Sequence, residues 1–280
     1  MDKTKQTAVA IGSGGIRSIA ALPLLRYLQD EDIAIDLLVC SGGGAIVSSL
    51  FALGCSDEEI VIHCLKLFNK KLYNHIDYKM FARACGIPFK ESPKYETPYL
   101  GKPFYNALKE VFKDFTIQDL PYRLNAIATD IQTGESVTLE KGLLADCLYA
   151  SNCVYPFIPP IEVDNKFLVS GVFTSSLPMM TAVKEGMDTI FAIDFTGDES
   201  INSKSMQEYI CNFLNRSCTI MQRRQTALSV NLHDGDSLVM NVDCDEWVGL
   251  FAIEKVDKII EAGKRTFATY KDEIDRLIFI

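Results

Sequence analysis

Positive charge is scarce in this chain. Its 28 Lys and Arg stand against 37 Asp and Glu, a net charge of −9. With a pI near 4.9 it lacks the basic footprint that nucleic acid demands, so no nucleic acid partner is expected. The same deficit opposes docking on an anionic bilayer unless a local basic patch exists. Long apolar runs are also missing: none approaches the roughly 18 residues that a membrane span needs, so no transmembrane segment is expected. Histidine is rare, with only His63, His75 and His233, and no Ser/His/Asp arrangement is visible in their spacing. Cysteine is plentiful, but its nine positions are odd in number and lack short paired spacings. That makes a poor disulfide framework and a poor zinc site, and no metal or cofactor is expected. Most of these cysteines lie in apolar runs, where the thiol acts as a small hydrophobe, and unpaired thiols fit a reducing compartment. Met1-Asp2-Lys3-Thr4-Lys5 carries no signal-peptide apolar region, so a cytoplasmic location is expected. Secretion by a route that needs no N-terminal signal stays open.

Core-forming residues are abundant. The 280 residues are 48% hydrophobic and 10% aromatic, and a mean hydropathy of +0.09 excludes a disordered class. Thr7 to Ile11 reads as a buried strand, followed by the turn Gly12-Ser13-Gly14-Gly15-Ile16-Arg17-Ser18 and a helix over Ile19 to Gln29 that Pro23 softly breaks. Asp36 to Val39 is a second strand and Ala45 to Leu53 a second helix. Asp57 to Leu72 follows, opened by Ser56 and Glu59 as a capping box. This strand–helix alternation predicts a mostly parallel sheet with helices on both faces. Residues 73–100 read as an irregular excursion, a cap over the sheet. Helices are expected over Phe104 to Phe112, Leu143 to Ala150 and Pro178 to Gly186. Strands Leu124 to Asp130 and Ser136 to Leu139 form a hairpin through Gln132-Thr133-Gly134-Glu135, and Phe167 to Val169 and Thr189 to Asp194 are further strands. Long helices over about 203–229 and 254–277, with a strand at Ser237 to Val242 between them, complete the pattern. With no repeat, low-complexity tract or linker, one domain over 1–280 is the simplest division, with a helical flank from about 200.

The stretch Leu37-Leu38-Val39-Cys40-Ser41-Gly42-Gly43-Gly44-Ala45-Ile46-Val47 has the layout of a nucleophile elbow: apolar strand, tight small-residue turn, helix. In such an elbow a serine stands at the tip. Here the tip is Gly42.

Four segments together resemble the patatin-like phospholipase family. Gly12 to Ser18 resembles its Gly-rich oxyanion loop, and Val39 to Val47 its Gly-x-Ser-x-Gly elbow. Ala150-Ser151-Asn152-Cys153-Val154-Tyr155-Pro156-Phe157-Ile158-Pro159-Pro160-Ile161 resembles its Ala-Ser…Pro-Pro segment. Lys166 to Pro178 resembles its strand ending in Asp-Gly-Gly or Asp-Gly-Ala. The matching order spans residues 7–196. The resemblance implies a three-layer α/β sandwich and lipid acyl hydrolysis by a Ser–Asp dyad, with loop amides holding the oxyanion. Carried over, Gly14, Gly15 and Arg17 match the anion-binding loop, while Ser13 and Ser18 replace expected glycines. Gly44 matches the last elbow Gly, and Cys40 replaces the first. Gly42 stands at the nucleophile position and Ser170 at the acid position, so no catalytic pair is intact. Loss of such a nucleophile costs about 10⁶ in turnover.

The expected function is therefore a degenerate patatin-like protein, a pseudoenzyme that holds a lipid or acyl ligand or acts through a protein partner. The alternative is an active acyl hydrolase with Ser41 as nucleophile. Ser41 sits one residue early and is otherwise expected to cap the helix or bond the turn. Cys40 reads as a buried strand-end thiol. Asp130, after the Ala-Ile-Ala-Thr strand, resembles a structural Asp of the family, and Asp164, Asp188 and Asp194 read as turn or strand-end residues. Gly12-x-Gly14 could open a dinucleotide site, but the third glycine is absent and Asp36 starts its strand rather than ending it. Lys204, Arg216, Arg223 and Arg224 form a loose basic run that reads as a solvated face, and Phe213, Leu214, Ile220 and Met221 read as core.

Overall fold

A computed structural model describes residues 5–87, 94–195, 206–246 and 248–279. Its eight strands form one sheet, ordered β5-β6-β3-β2-β1-β7-β8, with β4 paired to β3. The strands are β1 (Thr7–Ile11), β2 (Leu37–Ser41), β3 (Leu124–Asp130), β4 (Ser136–Leu139), β5 (Ile161–Val163), β6 (Lys166–Ser170), β7 (Thr189–Asp194) and β8 (Asp236–Asn241). Pairings β1–β2, β1–β7, β2–β3 and β7–β8 are parallel. Those of β3 with β4, β3 with β6 and β5 with β6 are antiparallel. Side chains alternate across the sheet as strand geometry requires. Val9, Ile11, Leu38 and Cys40 enter the larger core, while Ala8, Ala10, Leu37 and Val39 enter a smaller one on the opposite face. Two buried layers flank the sheet, so the mostly parallel sandwich with helices on both sides is the fold.

The helices are α1 (Leu22–Asp30), α2 (Gly43–Ala52), α3 (Asp57–Leu67), α4 (Tyr78–Ala84), α5 (Lys102–Phe112), α6 (Leu144–Asn152), α7 (Met179–Lys184), α8 (Met206–Leu232) and α9 (Val256–Phe279). Several boundaries differ from the sequence reading for identifiable reasons. Pro23 lies in the first turn of α1, where its missing N–H costs nothing, so it starts the helix rather than breaking it. Gly15–Ala21 before it is a 3₁₀ turn. The capping box of α3 is present, but α3 stops at Leu67, and Asn69 caps a separate 3₁₀ turn over Lys70–Leu72. The excursion at 73–100 contains α4, whose N-cap Asp77 accepts from the Lys79 and Met80 amides. β5 escaped the sequence reading. It pairs with β6 across Asp164 and Asn165, both at positive φ, the two-residue turn that Asp and Asn tolerate. The expected start of the long helix near 203 falls outside the described residues.

Candidate active site

Strand β3 acts as a template for the site. Its residues Leu124–Ile127 pair with Leu38–Ser41 of β2, and Ala128–Asp130 pair with β6, with Ala128 opposite Ser170. The ends of β2 and β6 therefore meet at the Ile127–Ala128 step. A Cβ built on Gly171 would lie 2.6 Å from Ser41 Oγ, which measures how close the two ends come. Helix α6 fastens the junction. Ser151 Oγ accepts from the Gly42 amide at 2.9 Å and donates to Ile127 O at 2.7 Å. Asn152 Nδ2 donates to Gly42 O at 3.0 Å. The sequence motif contains Ser151 and Asn152 without revealing a role for either. Their position on one helical turn ending at a Pro-rich segment was the available signal.

Gly42 lies at the tip between β2 and α2 with φ 54° and ψ −125°, the sharp conformation a nucleophile elbow imposes. The residue at the tip has no side chain, and its space is taken. A Cβ on Gly42 would stand 2.2 Å from Ser13 Oγ and 3.2 Å from Ser13 Cβ. Ser13, one of the two serines that stand where the resemblance led us to expect loop glycines, thus projects its hydroxyl into the volume that a side chain at position 42 would take. Gly43 and Gly44 are required by close approach: added Cβ atoms would meet Gly15 O at 2.3 Å and Ile11 O at 2.6 Å. Helix start and Gly-rich loop are packed backbone to backbone.

At the end of β6, Ser170 is buried and turned onto local backbone. Its Oγ donates to Ser151 O at 2.9 Å and accepts from Val172 N at 3.3 Å. Ser41 is fully buried, and its Oγ has no hydrogen-bond partner among the described residues. It caps nothing, contrary to expectation, because the pleat turns it beneath the elbow toward Gly171. Cys40 is a buried strand-end thiol as expected. It donates to Ser48 Oγ, and burial pushes it up to about 12.

The Gly-rich loop after β1 is formed but covered. Gly15 is at φ 58°, with Leu250 packed so close that a Cβ there would meet Leu250 O at 2.5 Å. The amides of Gly12, Ser13, Ile16 and Arg17 donate to Ile193 O, Ser176 O, Leu250 O and Gly14 O. Those of Gly14 and Gly15 donate to no acceptor among the described residues. Arg17 Nε donates to Gly14 O at 3.2 Å, so the guanidinium braces the loop from within.

A cavity of about 460 Å³ opens over the elbow. Ser13, Gly15, Gly42, Gly43 and Ser170 form its floor, and Phe68, Tyr73, Phe157, Phe173 and Phe251 contribute aromatic wall. Arg17 is the one charged residue in its described lining, which contains no carboxylate or imidazole. Tyr73 is held by Phe104 and Phe251 rings at 4.8 and 4.5 Å, and burial drives its phenol well above the usual range.

The patatin-like phospholipase family model matches residues 9–183, more than half of the chain. The chain belongs to the patatin-like phospholipase family. Among curated relatives, this patatin-like chain is 27% identical over 213 residues to an uncharacterized NTE family protein of Mycobacterium bovis, covering 75% of this chain and 55% of that one. It is 26% identical over 189 residues to patatin-like phospholipase domain-containing protein 7 of rat, covering 67% and 13%. It is 23% identical over 190 residues to lysophospholipase NTE1 of Kluyveromyces lactis, covering 66% and 12%. The patatin-like chain thus spans about half or less of the length of these relatives. Among solved structures it is similar to VipD from Legionella pneumophila, with a TM-score of 0.47, 11% identity, and coverage of 95% and 67%.

The other candidate residues of this patatin-like chain are accounted for locally. Asp130 Oδ1 accepts from Gln132 N in the β3–β4 turn, and Asp36 accepts from Thr7 N. Asp188 accepts from Gln6 N, and Asp194 from Gln222 Nε2 at 2.6 Å. Asp164 sits in the β5–β6 turn. His233 Nε2 is 2.7 Å from Met187 O, while His75 is exposed and His63 half-buried. Among the described residues no carboxylate or imidazole bonds to Ser13, Ser41 or Ser170, no group of residues could hold a metal ion, and no helix is long and apolar enough to cross a membrane. Arg216, Arg223 and Arg224 all lie exposed on α8; Lys204 is outside the described residues. The expectation that Phe213, Ile220 and Met221 are core is overturned. They are 70%, 52% and 37% exposed, and only Leu214 of that group turns to the cavity.

Proposed function

We propose that this patatin-like protein holds a single-chain acyl ligand with an anionic head, such as a fatty acid, and does not hydrolyse it. The observation that carries this reading is Ser13 Oγ standing 2.2 Å from the place of a Gly42 Cβ. The place of an elbow side chain is filled by a hydroxyl that has no carboxylate or imidazole partner among the described residues. A general base must come within about 2.6–3.2 Å of the proton it takes, and the described cavity lining contains no carboxylate or imidazole. Aromatic walls suit an alkyl chain. Arg17, the one charged residue of the described lining, suits a carboxylate rather than a cation. The C-terminal helices belong to the same unit in this reading, because α8 and Val248–Phe251 supply cavity wall.

The test is direct. The purified protein incubated with a fluorophosphonate is expected to gain no adduct mass and to turn over no short-chain ester. It is expected to bind a fluorescent fatty acid that unlabelled fatty acid displaces. An adduct on Ser41, Ser13 or any other side chain at the apex, with ester turnover lost in Ser41→Ala, would establish the hydrolase instead.

A further inference from the structure

Helix α8 turns a polar line to the cavity. Asn215, Thr219 and Gln222 share one side of the helix, as residues three and four apart do, and all three line the cavity. Gln222 is the most buried of them, only 3% exposed. Its amide is oriented by a carboxylate. Gln222 Nε2 donates to Asp194 Oδ1 at 2.6 Å. Asp194 ends β7 beside the Gly-rich loop, whose Gly12 amide donates to the neighbouring Ile193 carbonyl. An ionised carboxylate only accepts, so it takes the N–H edge of the amide. The carbonyl oxygen is left on the other edge, toward the cavity that Gln222 lines. Among the described residues nothing donates to that oxygen. The helix is also held further along, where Gln225 Nε2 donates to Thr174 O at 2.5 Å, so Gln222 stands on a fixed support.

We infer that Gln222 reads a hydroxyl on the acyl chain, and that the ligand of this cavity is a hydroxylated fatty acid. The inference rests on the reading of the cavity as a fatty-acid site. An unsubstituted alkyl chain laid along this wall strips water from Gln222 Oε1 and offers no donor in return, and a buried acceptor left without a donor is costly. A chain hydroxyl donates to that oxygen and removes the cost. A ketone at the same carbon only accepts, so it sets one acceptor against another. Asp194 does not line the described cavity. It is a positioning residue, which decides the edge of the Gln222 amide that the ligand meets.

Displacement of a fluorescent fatty acid from the full chain tests it, with octadecanoic acid, its mid-chain hydroxy isomers and the oxo acids of matching position as competitors. At the best position the hydroxy acid is expected to bind on the order of 10-fold more tightly than octadecanoic acid, and the oxo acid no more tightly than octadecanoic acid. Gln222→Met, checked for an unchanged melting curve, is expected to bind hydroxy and unsubstituted acids alike. Asp194→Asn no longer dictates the edge of the amide, so the oxo acid is expected to approach the hydroxy acid; a merely structural role of Asp194 would weaken all three together. Should either variant melt early, the comparison of hydroxy with oxo acids on the native chain decides. Hydroxy acids that bind no better than octadecanoic acid, or no better than their oxo counterparts, would overturn the inference and leave the fatty-acid reading standing. So would a hydroxy preference that survives in Gln222→Met. Failure of every acid to displace the probe would overturn that reading and this inference with it.

Discussion

Ser13 and Gly42 are complementary at atomic scale, since the loop serine fills what the elbow glycine leaves vacant. Gly42→Ser is expected to destabilise the fold by about 1–3 kcal/mol, from the clash with Ser13 Oγ and from a side chain forced to positive φ. Ser13→Gly in the same chain is expected to recover part of that loss, leaving the φ term. A double-mutant cycle in urea measures it, and additive losses would mean that the two residues do not meet. Ser151 is the other residue on which the elbow depends. Ser151→Ala strips partners from the buried Gly42 amide and Ile127 carbonyl at once, an expected cost of about 2–4 kcal/mol, read from the urea midpoint. Cys40 illustrates burial acting on chemistry. With its thiol pushed up to about 12, it is expected to resist alkylation at mildly alkaline pH in the native protein while the exposed Cys85 reacts, as peptide mass mapping would show.

Among the elements, the segment Val248–Phe251 closes over the Gly-rich loop through the Ile16 amide and Leu250 carbonyl, 3.0 Å apart. Glu246, just before this segment, pairs with Lys258 of α9 at 2.6 Å and with Lys255 in the turn that precedes α9 at 3.1 Å. Those lysines hold its carboxyl below the usual glutamate value, which lies near 4.3. A depressed folded value means that the pairing is present above pH about 4.3 and is lost as pH falls through the lower folded value. Protection of the Ile16 amide from hydrogen exchange, corrected for the intrinsic rate, is expected to drop across that acid window. Glu246→Gln is expected to show the drop already at neutral pH. The pairs are exposed, so the expected signal is local opening rather than global unfolding.

For the molecule as a whole, the cavity provides a stability test. A ligand bound only by the folded state stabilises by about 2.7 kcal/mol at 100 times its Kd. For a chain of this size that is a rise in Tm of roughly 5–10 °C. Fatty acid is expected to produce it, and the neutral alcohol of equal chain length to produce less, because Arg17 is the charged group in the described wall. Equal shifts would mean that the head group is not read.

Much of this was legible in the residues themselves. Alternating strands and helices determined the mostly parallel sheet. The tight run Ser41 to Gly44 determined an elbow, and the identities Gly42 and Ser170 at its tip and at the end of β6 were read directly. These were readable because they are local: side-chain period, turn chemistry and residue identity at a motif position need no distant partner. Where Ser13 points, what Ser151 holds, and which way Phe213 and Ile220 face were decided by the tertiary structure alone. Ser13 meets Gly42 only because β1 and β2 are neighbours. Ser151 reaches the elbow only because β3 carries both β2 and β6. Apolar spacing along α8 is identical for a helix facing a core and one facing outward, so the packing of Gln222 against Asp194, and nothing in the periodicity, turned its aromatic side to the outside.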